Sequence, residues 1–233
     1  MRNSSSCVGA WVLPRRLNDK IICNSMISLK NNFLFIHIPK TAGNSIQSIL
    51  RNYSEDRIVC SAPFQDGFER FGVTSERYGT CKHSTLNDYR KVLEGDVFRG
   101  LFKFTTIRNP WDRMISCYFS PHRGGIAWDR DRFKALLSEI PPATAYLSMA
   151  GRVEPCPFYN VDYFIRFENL ENDFRKVCNL IGIPWEPLPI RNKSESQNYL
   201  SYYDGELVEL VQKMFSDEIE FFGYEFNQYS PGM

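Results

Sequence analysis

The sequence has no run of about 18 apolar residues, the length that a membrane-spanning helix needs, so no membrane span is expected. Residues 1–20 contain only a short apolar stretch, which Pro14 and two arginines interrupt, and this does not match a secretory signal peptide. These absences predict a soluble protein located in the cytoplasm.

A large excess of charge of either sign is also missing. The formal net charge is +1 at pH 7, so the composition indicates neither a nucleic acid nor another polyanion as a partner. Any binding site for an anion must therefore be built locally, from a few basic side chains.

Cysteine pairs at metal-binding spacing are absent as well. The chain has seven cysteines, an odd number at irregular spacing and without a CxxC pair. This pattern excludes the usual zinc motifs and a disulfide scaffold. Two possibilities stay open, namely reduced thiols throughout, as in a cytoplasm, or a single bridge such as Cys60–Cys81.

What the sequence does contain suits one globular domain. The chain has 233 residues, of which 43% are hydrophobic, and this is enough for a sizeable core. We expect residues 1–30 to form a loosely packed arm and residues 31–233 to form the domain.

Three short apolar segments predict buried strands, at residues 33–38, 101–107 and 162–170. Each is followed by a helical pattern, and strands that alternate with helices predict an α/β fold with a parallel sheet and helices on both faces. Ligands of such sheets bind beyond the carboxyl ends of the strands. Two unusual turns, residues 39–45 and 108–116, fall at that edge.

The first turn combines a lysine, a glycine and short polar side chains in front of a helix. Its residues are Pro39, Lys40, Thr41, Ala42, Gly43, Asn44 and Ser45. Because a helix N-terminus presents free N–H groups and a partial positive charge, this turn predicts a P-loop-like cradle for a phosphate-like group. It departs from the nucleotide-binding GxxxxGK[ST] motif, since the lysine precedes the glycine and the first glycine is missing. The simpler interpretation is a capped turn with an exposed lysine.

The second turn, within FTTIRNPWDRMISCYF, places Arg108 at a strand end and Ser116 on the following helix. Arg113 lies one turn before Ser116, so the two side chains are expected to share a helix face. An arginine and a hydroxyl at one helix entrance suit a second dianion, such as a ribose phosphate. The simpler interpretation places Arg108 on the surface, but two such turns after two apolar strands favour anion binding.

These segments resemble those of a known family. IHIPKTAGNSI is similar to the 5′-phosphosulfate loop of carbohydrate-type sulfotransferases of the Golgi and bacterial branch, and IRNPWDRMISCYF is similar to their 3′-phosphate segment. The order of segments matches too, from the first loop to an Asn-x-Ser near the C-terminus at Asn192 and Ser194. The resemblance covers residues 33–226 and implies an enzyme that uses 3′-phosphoadenosine 5′-phosphosulfate (PAPS), releases the bisphosphate PAP and needs no metal.

The resemblance also implies roles for the site residues. Residues 39–45 would hold the 5′-phosphate, and Lys40 would neutralise the bridging oxygen as PAP leaves. Arg108 and Ser116 would hold the 3′-phosphate. The Asn-x-Ser segment, Asn192 and Ser194, would close over the nucleotide.

The chain has three histidines, and His83 is the candidate general base. It lies in a polar KHST segment between the two turns, and an unshifted imidazole titrates near neutral pH. His37 lies within a strand and is expected to be a hydrogen-bonded core residue, whereas His122 is expected on a surface loop.

The acceptor is expected to be a hydroxyl of a carbohydrate or of a small metabolite. Two other functions remain alternatives at this stage. A nucleotide-dependent kinase could use the same cradle with ATP and magnesium, and a non-catalytic binding module could retain nucleotide without modifying any acceptor.

Overall fold

The computed structural model describes residues 26–55, 57–60, 71–74, 78–120, 126–151, 156–189 and 198–227. The strands are Ile27–Ser28 (β1), Phe33–Ile36 (β2), Arg57–Cys60 (β3), Phe71–Thr74 (β4), Phe102–Ile107 (β5) and Tyr163–Arg166 (β6). The helices are Gly43–Leu50 (α1), Leu86–Val92 (α2), Gly95–Gly100 (α3), Pro110–Tyr118 (α4), Arg130–Leu137 (α5), Ala143–Leu147 (α6), Leu170–Ile181 (α7), Gly205–Met214 (α8) and Ser216–Phe222 (α9). None of these described helices has the length and apolar character required to cross a bilayer.

The main sheet has the strand order β1-β2-β5-β6. β2, β5 and β6 are parallel, with Phe35 opposite Phe104 and Thr105 opposite Phe164. β1 pairs with β2 in the antiparallel direction, and β3 and β4 form a separate two-stranded sheet. The predicted α/β fold is confirmed, and its parallel sheet carries one short antiparallel edge strand.

Helices cover both faces of this sheet. Side chains alternate in direction along a strand, so successive residues of β2 pack against different helices. Phe33 and Phe35 of β2 pack with α1 and α7 in one apolar cluster. Leu34 and Ile36 pack on the other side with α2, α4, α5, α8 and α9. The sequence prediction of helices on both faces is thus confirmed.

The element boundaries follow local signals. Asn109 caps α4 by accepting a hydrogen bond from the amide of Trp111, with Pro110 at the first helical position. α7 ends at Gly182, whose φ of 69° suits a glycine. The third predicted strand, residues 162–170, is shorter than expected because residues Phe167–Asn169 form a 3-10 helix.

Residues near the predicted boundary of the arm are also described. β1 lies before residue 31 and pairs with β2, while residues 1–25 lie outside the described residues. Cys81 has a free thiol, so the Cys60–Cys81 bridge considered from the sequence does not form.

Among the residues that the structure describes, Arg113 is the largest fully buried side chain, with 1% of its surface exposed. Its guanidinium donates hydrogen bonds to the carbonyl of Pro39 at 3.3 Å and to that of Pro141 at 2.8 Å. It also lies 3.4 Å from the buried carboxyl of Glu218, which accepts a hydrogen bond from the amide of Ala143 at 3.0 Å. Arg113 therefore connects the first turn to α6 and α9. Although the sequence predicts that Arg113 and Ser116 share a helix face, Arg113 does not use that face to bind a ligand.

We expect the substitution Arg113→Met to lower the free energy of unfolding by about 3–5 kcal/mol, because it leaves a buried carboxyl and two carbonyls without their donor. Chemical denaturation of the purified protein measures the change.

The matched control is Arg130→Met. Arg130 forms ion pairs with Asp204 and Glu206, but its side chain is 38% exposed, so water and salt screen the interaction. An equal loss of stability for both variants would contradict the structural role assigned to Arg113.

Candidate functional site

The first turn connects the end of β2 to α1. Lys40 and Ala42 both have positive φ angles, 69° and 70°. The backbone amides of residues 40–44 donate no hydrogen bond to another described residue, and the first amide that does is Ser45, which donates to the carbonyl of Ala42 at 3.0 Å. Successive amides in such a conformation form a concave group of donors that suits an anion.

Thr41 fixes this turn to the neighbouring strand. Its side chain is 1% exposed, and its hydroxyl donates to the carbonyl of Ile38 at 2.8 Å and shares a hydrogen bond with the hydroxyl of Thr106 on β5. The hydroxyl of Thr41 is thereby used within the protein, whereas its amide stays among the donors of the turn. The carboxamide oxygen of Asn44, by contrast, is buried without a partner among the described residues.

Arg108 brings the second turn against the first. Its Nη1 donates to the carbonyl of Lys40 at 3.2 Å. Its Nε and Nη2 donate to the two carboxylate oxygens of Asp112 at 2.7 and 2.8 Å. The guanidinium also lies over the ring of Phe167, 4.0 Å from the centroid. Arg108 is therefore a fixed member of the site rather than the surface charge of the simpler interpretation.

Of the other residues predicted to contact the nucleotide, Ser116, Asn192 and Ser194, the structure describes Ser116. Ser116 lies on α4 with 8% of its surface exposed. Asn192, Ser194 and also His122 lie outside the described residues.

His83 lies beside the first turn. Its Nδ1 is 2.9 Å from the backbone carbonyl of His37, and the two imidazole centroids are 4.6 Å apart. A carbonyl oxygen only accepts hydrogen bonds, so Nδ1 must carry the proton and the lone pair of a neutral ring must be on Nε2. The geometry thus assigns Nε2 as the atom of His83 that can take a proton.

Positive charge is concentrated around the first turn. Burial, and then the charge of Lys40, lower the pKa of Lys82 to about 8. Burial is also the main cause of the lowered pKa of Lys40, to which Arg108 contributes while the thiol of Cys117 opposes it. Cations that disfavour one another in this way are stabilised by a bound anion.

Several of these features were not found from the sequence. No role was assigned to Lys82 from the sequence, and the partners of Arg108, namely Asp112 and Phe167, were not identified. The position of Lys82 next to His83 was the available signal for the first. The i,i+4 spacing of Arg108 and Asp112 was the available signal for the second.

A metal site is a separate question. Among the residues that the structure describes, no group of three or more His, Cys, Asp or Glu side chains is placed to hold a metal ion. The expectation of metal-independent chemistry stays a prediction.

A comparison with family models finds a match in the part of the chain that contains the site. Residues 24–134, which contain both turns and His83, match the model of the sulfotransferase family. The match supports the sulfotransferase family assignment that the two motifs predicted from the sequence.

A crystal structure of a sulfotransferase from Alicyclobacillus acidocaldarius is similar to this chain at 16% identity, over 84% of this chain and 96% of that chain, with a TM-score of 0.39. No curated protein matches the chain. The fold class given above is based on the sheet topology of this chain itself.

We expect Gly43→Ala to destabilise the site. A Cβ at this position would lie 2.1 Å from Cδ2 of His37, and the buried imidazole has little room to move, so we expect a loss of about 1–3 kcal/mol in the free energy of unfolding. Thermal or chemical denaturation measures it.

The control is Gly205→Ala at the start of α8, where a Cβ would have no neighbour within 4 Å and where alanine is the better helix former. Combining Gly43→Ala with His37→Ala removes the steric overlap, so the double variant should lose less stability than the sum of the single variants. Simple additivity would show that the two residues are not in contact.

Proposed function

We propose that this chain is a PAPS-dependent sulfotransferase that transfers a sulfuryl group to a hydroxyl of a carbohydrate or small-metabolite acceptor. The observation that carries the proposal is the meeting of two anion-type turns at the ends of neighbouring parallel strands, joined by the bond from Arg108 to the carbonyl of Lys40. PAPS has anionic groups at both ends of its ribose, and two such turns suit that arrangement.

The residues of the first turn fit the 5′-phosphosulfate. The amides of residues 40–44 have no other acceptor among the described residues, and the positive φ angles of Lys40 and Ala42 turn consecutive amides toward one side. When bound, PAPS supplies a sulfuryl group attached to a good leaving group, the 5′-phosphate of PAP. In this proposal Lys40 neutralises the charge that develops there.

The second turn fits the 3′-phosphate. A guanidinium has five N–H donors. In Arg108, two of these N–H groups bind Asp112 and one binds the carbonyl of Lys40. Two N–H groups are therefore left for a phosphate. Ser116 on α4 would add a hydroxyl in this proposal, and Asp112 holds the guanidinium in one orientation.

His83 acts as the general base in this proposal. The acceptor hydroxyl gives its proton to Nε2, since Nδ1 donates to the carbonyl of His37. Transfer then proceeds as an in-line displacement, in which the enzyme contributes mainly positioning and charge stabilisation. Lys40, Lys82 and Arg108 supply the positive charge, and the scheme uses no metal ion.

The central test is incubation with radiolabelled PAPS and a panel of sugars and small alcohols. We expect Lys40→Ala to abolish transfer. We expect His83→Ala to lower kcat by about 10²–10⁴-fold, the range for a lost acid–base group, while PAP still binds in calorimetry.

The control for the removed lysine charge is Lys91→Ala, since Lys91 is an exposed residue on α2. This variant should transfer sulfuryl groups as the wild type does. Transfer of phosphate from ATP with magnesium, and none of sulfate from PAPS, would favour the kinase. Tight PAP binding with no product from any acceptor, and no effect of His83→Ala, would favour the non-catalytic binding module.

The affinity for PAP should fall as the pH rises above 8. Lys82 has a pKa of about 8, lowered mainly by burial and then by Lys40, so it is charged below this pH and neutral above it. A bound phosphate favours the charged form, and binding near pH 8.5 should therefore take up protons. Calorimetry in two buffers of different ionisation enthalpy measures this uptake.

The variant Lys82→Met should show a smaller proton uptake and a flatter pH profile of affinity than the wild type. An unchanged uptake in this variant would contradict the placement of Lys82 beside the bound anion.

A further inference from the structure

His37 contacts both halves of the site. The residue follows β2 and is 4% exposed. A Cβ on Gly43 would lie 2.1 Å from its Cδ2 and 2.2 Å from its Nε2, so the imidazole edge lies directly against the backbone of the first turn. On its other side, the ring lies 4.6 Å from that of His83, tilted by 55°.

The same residue also binds His83 through its backbone. The carbonyl of His37 accepts the hydrogen bond from Nδ1 of His83 at 2.9 Å. One residue therefore contacts the turn proposed to hold the 5′-phosphosulfate and the base proposed to accept the proton, and it sets the separation between them.

The imidazole of His37 is not itself suited to proton transfer. Burial, followed by the charges of His83 and Lys82, keeps its pKa well below 6.5, and Lys40 adds a smaller effect in the same direction. Its Nδ1 is buried without a hydrogen-bond partner among the described residues. The expectation of a hydrogen-bonded core histidine therefore fails for Nδ1 but holds for the ring as a whole, since a side-chain hydrogen bond with Gln47 opposes the lowering of the pKa. The ring also makes a stacked contact with Phe35 at 6.0 Å.

We propose that His37 is a positioning residue, whose ring fixes the imidazole of His83 in one orientation and one tautomer at a set distance from the phosphosulfate turn. The expected effect on the rate rests on the proposed function, whereas the expected orientation and tautomer of His83 do not depend on any activity. Removing the ring leaves the carbonyl in place and gives the ring of His83 room to rotate away from it.

The first measurement needs no variant. Long-range ¹H–¹⁵N NMR spectra distinguish the two nitrogens of each imidazole, and three histidines give few signals to assign, with His122→Gln identifying the third. We expect His83 to carry its proton on Nδ1 when neutral, and His37 to titrate well below pH 6.5. A mixture of tautomers at His83, or an ordinary titration of His37 near pH 6.5, would overturn the proposal.

The second measurement compares His37→Ala with His37→Asn, which keeps a small polar group near Nδ1 but not the body of the ring. Because Nδ1 has no partner, both variants should lower kcat by a similar factor, on the order of 10²-fold for a displaced catalytic group. The Kd of PAP should change by much less, and the spectrum of His83 should become a mixture of tautomers.

A merely structural role would lower the melting temperature and leave the tautomer of His83 and kcat below that temperature unchanged, which would overturn the proposal. Retention of kcat by His37→Asn alone would also overturn it, since the polar atom would then be the important part. If the wild type transfers no sulfuryl group, the proposed function fails, while the spectra of His83 still decide the role of His37.

Discussion

The parallel pairing of β2 with β5 is the constraint on which the site depends. Ile36 lies opposite Thr105, so both strands end at the same edge of the sheet and the turns that follow them meet there. The hydroxyl bond between Thr41 and Thr106 and the bond from Arg108 to Lys40 then hold the two turns together. Without this register the two basic segments, which are far apart in the sequence, would not form one site.

Interactions outside the site maintain this arrangement. Arg113 reaches back from α4 to the carbonyl of Pro39, and Glu168, after β6, accepts a hydrogen bond from the amide of Asn109 at 2.7 Å. Each turn is therefore supported from a different part of the chain. This support is needed because the site collects cations, and burial lowers the pKa of Lys40 and Lys82.

The sequence was sufficient for the features that depend on local pattern. Apolar runs predicted β2 and β5, and the helical pattern after each run predicted that a helix follows. It also predicted that the two turns lie at one edge, since that follows from strand order in parallel α/β sheets.

Features that depend on distant contacts were not predictable in this way. Nothing near Arg113 indicates that it is buried against Glu218, which is more than 100 residues away in the sequence. The contact of His37 with Gly43 and His83 likewise requires the three-dimensional structure. The break between α8 and α9 is another such feature, since Phe215 leaves the helical conformation with φ −121° and ψ 28°.

The two left-handed residues of the first turn have a consequence for how an anion would enter. Lys40 and Ala42 are not glycines, so each conformation costs on the order of 1–3 kcal/mol, which the rest of the fold must offset. That cost is met during folding, before any ligand arrives. The amide cradle is thus preorganised, and an incoming anion replaces solvent around donors that already point toward it instead of having to reshape the loop.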